Sequence, residues 1–214
     1  MKKWFIFRFF PVALALSLVL LVFSASCIAG ETVSTEAAAA AKKMMAQIRA
    51  RYGENKPITD DNYDKSLAVK CVNGTFVGTK TDDVVSYKGI PYVGQQPVGE
   101  NRFKKPVPFE ADEGVYEAYH FAKGCLQPIS ADDAGSLAVL GEDSLYLNIW
   151  KNTADTSEKK PVMVWIHGGG FTQGSTINPL YDGFNFVRDN GDVILVSIAY
   201  RLGGLGFLHL SHLP

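Results

Sequence analysis

The stretch Pro161–Phe171, PVMVWIHGGGF, joins an apolar run to a histidine and three consecutive glycines. Glycine runs after a strand have two common chemical uses. They cradle a phosphate, or they present backbone N–H groups to an oxygen that becomes negative during a reaction. Phosphate-binding glycine motifs open directly into a helix, whereas Phe171–Ser175 (FTQGS) has neither a helical pattern nor a lysine. The oxyanion use is therefore favoured, and a tight glycine turn without chemistry is the alternative.

Two further apolar runs lie on either side of this stretch. SLYLNIW precedes it at residues 144–150, and DVILVSIAY follows it at residues 192–200. Continuous apolar runs, unlike alternating ones, are typical of strands covered on both faces, as in a parallel sheet flanked by helices. The residues between the runs leave room for one short crossover helix, near Phe184–Asn190. The sequence therefore predicts an α/β fold with a central, mostly parallel sheet.

Nearer the N-terminus, shorter β-prone runs are separated by glycine and proline. They are LAVKCV (67–72), TFVG (75–78) and VVSYKGIPYV (84–93). Asn73-Gly74 lies between the first two and is a strong hairpin signal. We therefore predict an antiparallel ribbon that leads into the central sheet, in a domain that spans residues 67–214.

Composition and charge narrow the class of ligand. The 214 residues contain 21 basic and 22 acidic side chains, which gives a formal charge of -1. Proteins that bind nucleic acids usually carry a marked basic excess. We therefore expect a small molecule, and no nucleic acid, as the partner.

Residues 1–30 have the order of a secretory signal: basic residues, an apolar stretch over Phe9–Phe23, then the small residues SASCIAG. Cleavage before Cys27 would resemble bacterial lipoprotein processing, with Cys27 as the lipidated residue. Alternatively, Phe9–Ala29 stays uncleaved as a membrane anchor, since it is about long enough to cross a bilayer. Ordinary cleavage, lipidation and anchoring all predict export, with the protein secreted or attached to the outer face of the membrane.

Residues 31–66 are predicted to form a helical or polar spacer. Thr35–Arg51 should be helical, because it is rich in alanine, lysine, methionine, glutamine and arginine. A partner-binding helix is the alternative interpretation of this segment. Export would permit a disulfide, and Cys71 and Cys125 could form one or remain unbridged.

Several blocks of the sequence together resemble type B carboxylesterases, the group that includes the cholinesterases. In chain order they are YKGIPYV (87–93), PVGENRFKKPVP (97–108), GEDSLYLNIW (141–150), PVMVWIHGGGF (161–171) and AYRLGGLGFL (199–208). The resemblance runs from about Cys71 to the C-terminus and implies the N-terminal, incomplete part of an α/β-hydrolase fold. It also implies hydrolysis of a small-molecule carboxylic ester, with no metal and no organic cofactor.

The resemblance also implies roles for individual residues. Gly169 and Gly170 would supply the N–H groups of the oxyanion hole. Glu142 and Arg102 would form a buried salt bridge, and Arg201 would pair with an acidic residue further along, which this sequence does not contain. Surface solvation is the alternative for both arginines.

Ser144 departs from the family pattern. The resemblance implies a cysteine there, bridged to a cysteine in the position of Cys125, and a serine cannot form that bond. Cys125 is therefore expected to be free or paired elsewhere.

A serine esterase of this kind needs the nucleophile elbow G-x-S-x-G, followed by an acid and a histidine. No G-x-S-x-G occurs in the 214 residues. His167 comes directly before the glycine turn and is predicted to be a structural member of it. His209 and His212 have no cysteine or carboxylate beside them that would complete a metal site. The sequence thus predicts an oxyanion hole without its nucleophile, and no turnover by this chain alone.

Three explanations for the missing nucleophile stay open. The chain could be a fragment or truncated frame of a full carboxylesterase, a short non-catalytic product, or a cholinesterase-like adhesion module. The intact H-G-G-G turn favours the first, since an adhesion module has less reason to keep it.

Overall fold

The computed structural model describes residues 35–128, 139–154, 159–209 and 211. The predicted signal with Cys27, and His212, lie outside these residues. The chain divides into two compact units, Met1–Ala46 and Gln47–Pro214, and every contact described below lies within the second. Of the helices within the described ranges, none is long and apolar enough to cross a membrane.

β-strands predominate among the described elements, and α-helices alternate with them only toward the C-terminal end. In chain order they are α1 (Thr35–Arg51), β1 (Ala68–Cys71), β2 (Asn73–Val77), β3 (Thr79–Thr81), β4 (Val84–Pro91), β5 (Asp112–Glu117), β6 (Gly124–Cys125), β7 (Leu140–Gly141), β8 (Tyr146–Asn152), β9 (Val162–Ile166), α2 (Gly183–Asp189), β10 (Ile194–Ile198) and α3 (Gly203–Phe207). Helix α1 has the bounds that propensity predicts, and α2 is the predicted crossover helix.

The predicted hairpin is confirmed, with its turn one residue earlier than the Asn-Gly signal. β1 and β2 pair antiparallel with Cys71 opposite Gly74, so Val72 and Asn73 form the turn. Gly74 has φ +121°, and a Cβ there would lie 2.8 Å from the ring of Tyr116. β5 adds to β2 in parallel, so that this hairpin belongs to a separate sheet of order β1-β2-β5.

The main sheet has the order β3-β4-β8-β10-β9. Its β9–β10 pair is parallel, while β3–β4, β4–β8 and β8–β10 are antiparallel, so the described part of the sheet is mixed. β9 lies at the edge, and all five of its residues are exposed. The expectation that this apolar run is covered on both faces is wrong for the described residues, because its side chains are exposed on both faces.

Trp150 of β8 is fully buried in the core. Phe121 packs against it with ring centroids 6.1 Å apart. Helix α2 approaches so closely that a Cβ on Gly183 would lie 2.6 Å from the indole. Asp182 begins this helix as its N-cap, with Oδ1 accepting from Phe184 N–H at 2.9 Å.

A β-bulge interrupts β4 at Lys88 and Gly89, which together lie opposite the single residue Asn148 of β8. Gly89 has φ +69°, and its N–H donates to Asn148 Oδ1 at 2.9 Å. Asn148 Nδ2 donates to Ser197 Oγ at 3.0 Å. This buried side-chain amide therefore replaces the ladder hydrogen bond that the bulge removes.

Replacing Asn148 by alanine is expected to lower the free energy of unfolding by about 2–3 kcal/mol, because it leaves two buried polar groups without partners. Urea denaturation of the variant measures the loss. The matched control is Asn62→Ala, whose exposed side chain should contribute less than about 0.5 kcal/mol. Equal midpoints for the two variants would show that the Asn148 contacts are unimportant.

The segment after α1, predicted as spacer, pairs closely with the rest of the second unit. Asn55 Nδ2 donates to the carbonyl of Lys88 at 2.8 Å, and Asn55 Oδ1 accepts from Tyr119 N–H at 2.9 Å. Ile58 N–H donates to the carbonyl of Val115 at 2.7 Å. The packed unit thus begins before the predicted boundary at residue 67, because one asparagine side chain satisfies backbone groups that local patterns do not reveal.

Candidate active site

The three glycines form a turn that directly follows β9. Gly169 has φ +122° and Gly170 φ +61°, and the next residue, Phe171, keeps a left-handed conformation at φ +62°. The Gly169 carbonyl accepts from the N–H groups of Thr172 and Gln173, each at 3.1 Å, so the turn closes on itself. A Cβ on Gly169 would lie 1.9 Å from the Gln173 carbonyl oxygen. Only glycine fits at residue 169.

The N–H groups of Gly169 and Gly170 are free to bind a ligand. Neither donates to any atom of the described residues. Gly170 is exposed and Gly169 is half-buried. The end of β9 is thus followed by two adjacent backbone donors that have no protein partner within the described residues.

His167 holds the base of the turn. Its buried ring stacks on Tyr200 with centroids 4.4 Å apart, and the Tyr200 hydroxyl donates to the His167 carbonyl at 2.7 Å. Nδ1 lies 2.9 Å from the Gly168 carbonyl, which can only accept, so Nδ1 carries the proton. Burial lowers the pKa of His167, which keeps the ring neutral at pH 7. These contacts agree with the prediction that His167 is a structural member of the turn.

Gln127 anchors the far side of the same turn. Its Oε1 accepts from Gly174 N–H at 2.8 Å, and its Nε2 donates to the carbonyls of Gly174 at 2.9 Å and Cys125 at 3.1 Å. Gly174 lies so close to the turn that a Cβ there would be 2.5 Å from His167 Nδ1. Sequence reasoning missed Gln127, because its partner lies 47 residues away and no motif links them.

The family matches agree with this geometry. Residues 65–213 match the carboxylesterase family. The chain belongs to this family. It is 45% identical to para-nitrobenzyl esterase of Bacillus subtilis over 144 residues, which is 64% of this chain and 28% of that protein. It is 37% identical to acetylcholinesterase of Danio rerio over 136 residues, which is 60% of this chain and 21% of that protein.

Solved structures give the same result. The crystal structure of a Geobacillus stearothermophilus carboxylesterase at pH 6.2 matches 67% of this chain with 44% identity and a TM-score of 0.57. This match covers 28% of the Geobacillus chain. This carboxylesterase chain therefore spans less than a third of the length of these relatives. The predicted resemblance to type B carboxylesterases and the predicted α/β-hydrolase fold are confirmed.

Replacing Gln127 by leucine is expected to loosen this carboxylesterase turn. The substitution removes all three hydrogen bonds of the side chain, and we expect a loss of about 1–3 kcal/mol in the free energy of unfolding. Faster hydrogen exchange at the Gly174 amide would be the local sign of this change. Gln95→Leu, at an exposed position, is the matched control. An unchanged exchange rate at Gly174 in Gln127→Leu would contradict the anchoring role.

The predicted pair of Arg102 and Glu142 forms, but at the surface. Arg102 Nε and Nη2 both donate to Glu142 Oε2, at 3.1 and 2.5 Å. The Arg102 side chain is 48% exposed and that of Glu142 is 20% exposed. The expectation of a buried bridge is therefore wrong for the described residues, and an exposed pair contributes at most about 1 kcal/mol.

Arg201 is half-buried and lines a small cleft together with Arg102, Glu142 and Cys125. Within the described part of the chain it takes part in no salt bridge. The acidic partner that the family resemblance implies for Arg201 is thus not replaced by another residue of the described ranges.

Both cysteines of the second unit are unbridged, with Cys71 exposed and Cys125 buried. The Leu202 N–H donates to Cys125 Sγ at 3.2 Å. Ser144, in the place of the family's bridging cysteine, is fully buried and its hydroxyl donates to the Glu142 carbonyl at 3.4 Å. Cys125 and Ser144, at the two positions where the resemblance implies a disulfide, each take part in a hydrogen bond instead.

Proposed function

We propose that this chain supplies the oxyanion-binding part of an exported serine carboxylesterase. The observation that carries the proposal is the pair of unpaired, adjacent N–H groups on Gly169 and Gly170, in a turn that excludes a side chain at Gly169. The small-molecule substrate would be a carboxylic ester. The names of its relatives, which include para-nitrobenzyl esterase and fumonisin B1 esterase, agree with ester hydrolysis.

In the proposed reaction, a serine hydroxyl attacks the ester carbonyl carbon and loses its proton to a histidine. The carbonyl π electrons move to the oxygen, which becomes negative in the tetrahedral intermediate. Gly169 and Gly170 would each donate an N–H to this oxygen, and the residue after the nucleophile would supply a further donor. Collapse of the intermediate expels the alcohol, which takes the proton back from the histidine, and leaves an acyl-serine that water then hydrolyses.

The nucleophile has no candidate among these 214 residues, because they contain no G-x-S-x-G. We therefore propose that this chain alone does not turn over esters, and that catalysis requires a segment carrying the nucleophile elbow.

A chimera tests this proposal. Residues 67–208 replace the aligned segment of Bacillus subtilis para-nitrobenzyl esterase, and p-nitrophenyl acetate hydrolysis is followed at 405 nm. The chimera is expected to show saturable turnover, while the 214-residue chain gives no rate above buffer. Saturable turnover by the chain alone would contradict the missing nucleophile. A folded but inactive chimera would contradict the esterase role and favour a non-catalytic binding module.

Export through residues 1–30 is a separate part of the proposal. If Cys27 is lipidated, the membrane-extracted protein should have the intact mass of a diacylated chain that begins at Cys27. An unmodified mass that begins elsewhere in residues 24–30 would indicate ordinary cleavage, and a full-length mass would indicate an uncleaved anchor.

A further inference from the structure

A cavity of about 300 Å³ opens on the part of the molecule where the end of α1 meets the start of α2. Arg51, Lys88, Asp182 and residues 119–121 line it. It shares no residue with the glycine turn, and neither the proposed esterase function nor the family match gives it a role.

Lys88 is held in the wall of this cavity by the β4 bulge. Bulges commonly re-aim a side chain out of the regular alternation of a strand. The Lys88 N–H donates to the carbonyl of Ala118, and the Lys88 carbonyl accepts from Asn55 Nδ2, both at 2.8 Å. The backbone of Lys88 is thus fixed on both sides, and its Nζ lies 5.4 Å from the centre of the Phe121 ring.

Positive charge exceeds negative charge among the groups that line the cavity. The guanidinium of Arg51 lies 4.4 Å from the centre of the same Phe121 ring, and its Nη2 donates to Asp182 Oδ2 at 2.7 Å. Asp182 Oδ1 is already occupied by the N–H of Phe184. Among the described residues, the Lys88 ammonium has neither a hydrogen bond nor a salt bridge. One carboxylate therefore balances two cations.

Both cations are partly removed from water. Burial lowers the pKa of Lys88, and the nearby charge of Asp182 only partly offsets this effect. Burial likewise lowers the pKa of Arg51. Lys88 Nζ has no hydrogen-bond partner among the described residues and is not fully buried, so it can donate to an anion that enters the cavity.

The geometry points to this cavity as a binding site for a small oxyanion, a phosphate or a carboxylate, held between the Lys88 ammonium and the Arg51 guanidinium. Guanidinium and ammonium groups are the usual protein ligands of such anions. The backbone at Lys88 is fixed before the anion arrives, so little backbone entropy is lost there on binding.

Calorimetric titration of the full chain with inorganic phosphate tests the site, at constant ionic strength maintained with sodium chloride. We expect saturable binding with one phosphate per chain. Lys88→Met should weaken the affinity at least tenfold, whereas Lys105→Met, which removes the same charge from an exposed position, should leave it unchanged. Parallel titration with acetate shows whether a carboxylate is accepted as well as phosphate.

A second variant distinguishes loss of the anion site from misfolding of Lys88→Met. Asp182→Asn keeps a side chain that can cap α2 and removes the negative charge, so phosphate should bind several-fold more tightly, a gain that an unfolded protein cannot show. The site is overturned if neither anion binds saturably, if Lys88→Met and Lys105→Met bind phosphate equally, or if Asp182→Asn binds phosphate no more tightly than the unaltered chain.

Discussion

Alanine in place of Gly169 is expected to lower the kcat/KM of the chimera for p-nitrophenyl acetate by about a hundredfold or more, the usual cost of losing an oxyanion donor. A Cβ at this position would lie 1.9 Å from the carbonyl oxygen of Gln173, which is a backbone atom that cannot simply rotate away. The φ of +122° is also unfavourable for any residue with a side chain. The turn must therefore rearrange, and its N–H groups no longer point at the position of the oxyanion.

The neighbouring glycines give matched controls. Gly168 has an ordinary φ, and a Cβ added there would meet no heavy atom within 4 Å, so Gly168→Ala should leave the fold unchanged. Gly170 has the same open space but φ +61°, so Gly170→Ala should cost about 1 kcal/mol of backbone strain and give an intermediate rate. Equal rates for Gly168→Ala and Gly169→Ala would show that turn geometry does not limit catalysis.

Replacing Trp150 by alanine is expected to have the largest effect on stability, a loss of about 3–5 kcal/mol in the free energy of unfolding. Trp150 is fully buried, packs against Phe121, and forms the surface on which Gly183 of α2 rests. Its removal opens a cavity that these neighbours cannot fill without moving the helix. Urea denaturation measures the loss. Because the free energy of unfolding of a small protein is only about 5–15 kcal/mol, that of the variant should be close to zero.

Trp165 is the matched control, since it is also a tryptophan in a strand of the same sheet. Its side chain is 42% exposed, and its main partner is the Tyr181 ring at 5.7 Å. Trp165→Ala should therefore cost only about 1 kcal/mol. Similar losses for the two variants would mean that the burial of Trp150 adds little to stability.

Features set by neighbours in sequence could be predicted from sequence. Helix formers determine α1 over Thr35–Arg51, and Asn73-Gly74 marks the β1–β2 hairpin. The glycine turn is equally local, because consecutive glycines after a strand permit the positive φ angles that a tight turn requires. The assignment of Gly169 and Gly170 as donors is instead implied by the resemblance to type B carboxylesterases and stays a prediction.

Features set by distant partners could not be predicted. An apolar run such as β9 has the same pattern whether or not other segments cover its two faces, so the pattern does not reveal its exposure. The hydrogen bonds of Gln127 and the surface position of Arg102 depend on loops brought together by the fold. Glycine has a low helix propensity, which argues against a helix at α3, yet Gly203–Phe207 is helical.

The most direct test of the central claim is a crystal structure of the chimera after reaction with a phosphonate ester, which leaves a tetrahedral phosphoryl group on the nucleophilic serine. The phosphoryl oxygen stands for the oxyanion of the intermediate. We predict that this oxygen lies about 2.7–3.1 Å from the amide nitrogens of both Gly169 and Gly170. A phosphoryl oxygen that points away from the turn, with both amides unengaged, would contradict the claim that these two residues form the oxyanion hole.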